Sequence, residues 1–62
     1  MNPLRDEAAH WYSRAADARK IAADLTDPAA RRKMLAVADN YMKIAREAEA
    51  RAKAHEPDDQ SN

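Results

Sequence analysis

The chain has 62 residues, neither cysteine nor glycine, and 11 basic side chains balanced by 11 acidic ones. Lacking cysteine, it can form no disulfide and no thiolate metal site, and its neutrality argues against a general nucleic-acid binder or a polybasic membrane anchor. A domain this short seldom buries enough apolar surface to be stable without metals, disulfides or partners.

The opening residues, Met1-Asn2-Pro3-Leu4-Arg5-Asp6-Glu7, contain no apolar signal core, and nowhere does an apolar run approach the roughly 20 residues that cross a bilayer. A cytoplasmic protein is expected, and the alanine and arginine content suggests a bacterial one. Pro3 suits the first position of a helix, and the alanine-rich stretch after it holds only good or neutral helix formers. A first helix is therefore predicted over about Leu4 to Leu25. Its apolar residues Leu4, Ala8, Trp11, Ala15, Ala18, Ala22 and Leu25 alternate in steps of four and three, with Ile21 beside them. That alternation is a coiled-coil seam and requires a partner helix.

Asp27-Pro28 is the strongest punctuation in the chain: Asp27 is a good N-cap and Pro28 fits the first helical position, where no N–H is needed. The turn is placed at about Thr26-Asp27 and the second helix over about Pro28 to His55. So short a turn folds the helices antiparallel. The second helix has one apolar line at Ala30, Met34, Val37, Tyr41, Ile44 and Ala48, and an adjacent one at Leu35, Ala38, Met42 and Ala45. Together they cover about half its circumference, more than one neighbour buries. With the first line turned inward, Tyr41 falls opposite Ala15, Val37 opposite Ala18, Met34 opposite Ala22, and Trp11 over Ile44 and Ala45. Small then faces large along the seam. Residues 56–62, Glu56-Pro57-Asp58-Asp59-Gln60-Ser61-Asn62, are expected to be a polar, disordered tail.

The residues Asp27-Pro28, Arg31, Met34-Leu35, Ala38, Tyr41, Ala45 and Ala48-Glu49, preceded by Arg14-Ala15, Ala18-Arg19, Ile21-Ala22 and Leu25, carry a resemblance. The stretch from Trp11 to Glu49 resembles a recurrent class of short, uncharacterised bacterial α-helical hairpin proteins. The resemblance implies a hairpin and brings no activity with it.

Few residues suggest chemistry. His10 and His55 fall toward the same end of an antiparallel hairpin, near Asp6, Glu7 and Glu56, but neither has a second histidine three or four residues away, as zinc sites usually do. Nothing after His10 marks a phosphotransfer site, and Ser13, Thr26 and Ser61 have no base in helical register. No enzyme, metal or cofactor is expected.

Arg31-Arg32-Lys33 places three cations at a helix N-terminus, against the helix dipole, and Arg19 and Lys20 approach from the first helix. Local pairing of these arginines with Asp24 and Asp27 is expected. A functional alternative is an anion or acidic-partner patch at Arg19, Lys20, Arg31, Arg32 and Lys33, which in a small nucleic-acid-associated regulator would contact phosphates through Arg31, Arg32 and Lys33. Long regular helices joined by Asp-Pro do not suit a DNA-reading helix-turn-helix.

The fold expected is all-α, an antiparallel coiled-coil-like hairpin over residues 1–55, completed to a four-helix bundle by dimerisation or by a partner. The function expected is protein interaction, by self-association or by docking on a larger protein. The wide face of the second helix would supply the interface through Met34, Leu35, Ala38, Met42 and Ala45, methionine being adaptable at such surfaces.

Overall fold

The computed structural model describes residues 3–55 as two antiparallel helices, α1 (Pro3–Asp24) and α2 (Pro28–Ala54), packed along their length and joined by Leu25, Thr26 and Asp27. Among these residues there is no strand, and the fold is an all-α helical hairpin. The expected tail, Glu56 to Asn62, lies outside the described residues.

The turn is built from hydrogen bonds that replace those lost at the two helix ends. The Leu25 amide donates to the Ala22 carbonyl at 3.1 Å, ending α1 in a tightened turn. Asp27 then takes an extended conformation (φ −79°, ψ 120°), and its carboxylate accepts from the Ala30 amide at 3.2 Å. Its carbonyl accepts from the Arg31 amide at 2.9 Å, which starts α2, with Pro28 at a position that needs no donor.

Arg31 does not pair with a carboxylate. It reaches back to the end of α1, where Nη2 and Nε donate to the Leu25 carbonyl oxygen at 2.7 and 3.2 Å. The last turn of α1 has no basic residue of its own, so Arg31 supplies the cation that its negative end favours. A charge unfavourable to the dipole of α2 is thus placed where it satisfies that of α1.

The seam of α1 has the periodicity expected: Ala8, Ala15, Ala18 and Ala22 are buried, and Leu4, Trp11 and Leu25 are half-buried beside them. The seam of α2 differs from the expectation. Ala38, Ala45, Ala48 and Ala52 are the buried residues, with Met34 and Tyr41 half-buried in the same four-and-three alternation. Val37, expected opposite Ala18 in the seam, is 38% exposed at its edge, whereas Ala38 beside it is at 0%. The interface therefore bisects the two apolar lines of α2 instead of following either.

The reason lies in backbone approach. Alanines meeting alanines allow two helices to come close together, and in that narrow gap nothing larger fits at the centre. Larger side chains are displaced to the flanks, where they lie along the seam like rails. Trp11 accordingly stacks on Tyr41, with ring centroids 5.5 Å apart and planes at 29°. Arg14 covers the same Tyr41 ring, its guanidinium carbon 5.7 Å from the centroid.

Candidate functional site

Each flank of the alanine seam carries a shallow groove. The first, about 230 Å³, is lined by Arg14, Asp17, Ala18 and Ile21 of α1 and by Met34, Val37 and Tyr41 of α2. The second, about 170 Å³, is lined by Arg5, Ala8, Ala9, Tyr12 and Glu49.

The two grooves differ in chemistry. Across the second, the Tyr12 hydroxyl donates to Glu49 Oε1 at 2.8 Å, linking the helices with a polar bond. Accepting that bond, the Glu49 carboxylate holds the Tyr12 phenol above its ordinary pKa, with burial and the negative charge adding to the effect and Arg46 opposing it. The first groove has no such bridge. Ile21, 48% exposed, and Val37, 38% exposed, are two of the three exposed large apolar residues among those described, and both lie in it.

The five residues expected to form one apolar interface do not share a surface. Ala38 and Ala45 are at 0% exposure and are used inside the hairpin, so neither can meet a partner. Met34 is half-buried in the first groove, while Met42 is half-buried on the line of Leu35 and Glu49, toward the second. Leu35 is 41% exposed. Ile21 was the residue that periodicity undervalued. It sits one step off the α1 seam, which is where a close-packed alanine interface places its large side chains.

The five cations do not form a compact patch either. Arg19, Lys20, Arg31, Arg32 and Lys33 are all exposed, but Arg31 is committed to Leu25. Arg19 falls on the line of Tyr12 and Lys33 on the side of Val37, so the remaining charges diverge around the turn end. His10 sits edge-on to Trp11, with ring centroids 5.0 Å apart. Among the described residues no three metal-ligating side chains converge, and no helix is long and apolar enough to cross a membrane.

Compared with protein-family models, with curated proteins and with solved structures, the chain matches none.

Proposed function

We propose that this protein is a small cytoplasmic interaction module, without catalysis of its own, that works by presenting apolar side chains which its own fold leaves uncovered. One observation supports this reading above the others: among the described residues, no side chain larger than alanine is fully buried. Burying a large apolar side chain contributes about 1.5 to 3 kcal/mol, and the hairpin alone leaves much of that unrealised at Trp11, Ile21, Met34, Leu35, Val37, Tyr41, Met42 and Ile44. Covering the first groove with another helical surface would recover a large part and complete a four-helix bundle.

Replacing both Ile21→Glu and Val37→Glu tests this, because neither side chain is part of the buried seam. The double variant should remain helical yet lose association, read by sedimentation equilibrium for the protein itself and by affinity capture for other proteins. A parent that is monomeric across a hundredfold concentration range, and that captures the same proteins with and without the two substitutions, would overturn the reading.

A further inference from the structure

The first groove carries charge in an order that bears on what covers it. Arg14 and Asp17 lie one turn apart on α1, both lining the groove, with Arg14 held across the Tyr41 ring. On the same flank of α2, Val37 and Ile44 lie one turn either side of Asn40 and Tyr41, and Lys33 and Glu47 lie further out in the same directions. On both helices, therefore, unlike charges stand either side of one level, that of Tyr41, and on α2 Val37 and Ile44 lie between them.

A face arranged in this way is complementary to itself when turned end for end. An acidic or basic partner would favour a face of one sign, whereas this one carries both and the chain has 11 charges of each kind. We propose that a second copy of this chain covers the groove, related by a two-fold axis lying in the interface, perpendicular to the helices, at the level of Tyr41. This inference rests on the interaction reading above and specifies its partner.

In that arrangement α1 lies antiparallel to α1 of the second copy, and Arg14 of each meets Asp17 of the other. The two α2 helices pair likewise, bringing Val37 against Ile44 and Lys33 against Glu47 of the second copy, with the Tyr41 rings at the centre. The contact is isologous, so each pairing occurs twice and the assembly closes as a dimer. Glu7 and Asp24 come level at the rims, where solvent screens their repulsion. The alternative two-fold, parallel to the helices, would set α1 against α2 and bring Arg14 no carboxylate from Asp17.

Charge reversal separates these cases. Chains carrying Arg14→Asp alone, or Asp17→Arg alone, place like charges opposite each other in a homodimer, and each should self-associate on the order of tenfold more weakly than the parent. Mixed in equal amounts, the two variants should form a heterodimer of near-parental affinity, because both contacts between positions 14 and 17 then join unlike charges. Circular dichroism of each variant before mixing establishes that both are helical, and the mixture itself controls for loss of the Arg14–Tyr41 contact. A parent that dimerises while the mixture stays as weak as its components would overturn the geometry and leave the interaction reading intact. A parent that is monomeric throughout, yet loses a captured protein on Ile21→Glu with Val37→Glu, would overturn the second copy as occupant.

Discussion

The guanidinium of Arg31 closes on the carbonyl oxygen of Leu25, donating from Nη2 at 2.7 Å and from Nε at 3.2 Å, so that a residue in the first turn of α2 caps the end of α1. The contact spans the turn and ties the two helix ends together. Its two donors are fixed in the planar fork of a guanidinium, a geometry that lysine lacks. Arg31→Ala should therefore destabilise the hairpin by about 1 kcal/mol, less than the roughly 1.5 to 3 kcal/mol of hydrogen bonds to charged groups because this one is exposed to solvent. Arg31→Lys should recover only part of this. Thermal melting of the three proteins at one concentration checks it, and Arg32→Ala, whose side chain makes no such contact, should melt close to the parent.

Ala38 and Ala45 are at 0% exposure in the alanine seam, and α1 meets them there with alanines of its own. Enlarging either forces the helices apart along their length. Ala38→Leu and Ala45→Leu should each cost about 1 to 3 kcal/mol by overpacking. Were these residues on an outer face, leucine would leave the melting temperature unchanged or raise it, so the direction of the change decides the matter.

Asp27 accepts from the Ala30 amide at 3.2 Å and caps α2. Asp27→Ala should lose about 0.5 to 2 kcal/mol, and Asp27→Asn, which keeps an acceptor at the same place, should retain most of it. Urea unfolding of both variants measures the difference. Equal stability of all three proteins would show that Pro28 alone suffices to start the helix.

The Tyr12 hydroxyl donates to Glu49, and that bond raises the phenol's pKa in the folded protein above its ordinary value of 10.0. A raised folded value means that the neutral phenol is bound more tightly in the folded state. Its stabilising contribution is present in full below about pH 10 and is lost as pH rises through the folded value. The parent should accordingly lose stability above pH 10 more steeply than Tyr12→Phe, while Tyr12→Phe is the less stable protein at neutral pH. Paired urea titrations from pH 7 to beyond pH 10 compare them, and curves that run parallel across that range would remove the Tyr12–Glu49 bond as a stabilising contact.

Much of this fold could be read from local chemistry. The helices follow from alanine content and the absence of glycine, the break from Asp27-Pro28, and the α1 seam from a single unbroken alternation through Leu4, Ala8, Trp11, Ala15, Ala18, Ala22 and Leu25. Each of these is a property of neighbouring residues and needs no knowledge of what lies across the interface. The α2 seam is of another kind. Three alternations overlap there, and side-chain size favours the two that carry Val37 and Ile44 or Leu35 and Met42. Only the line through Met34, Ala38, Tyr41, Ala45, Ala48 and Ala52 remains apolar into the last turn, a signal present in the sequence but outweighed by the larger residues. Tertiary packing decided among them, because the small residues of α1 allow a close approach that only alanines opposite can accommodate. The same packing moved Ile21 and Val37 to a common groove and brought Arg31 to Leu25, contacts between residues whose meeting depends on how two helices are rotated against each other.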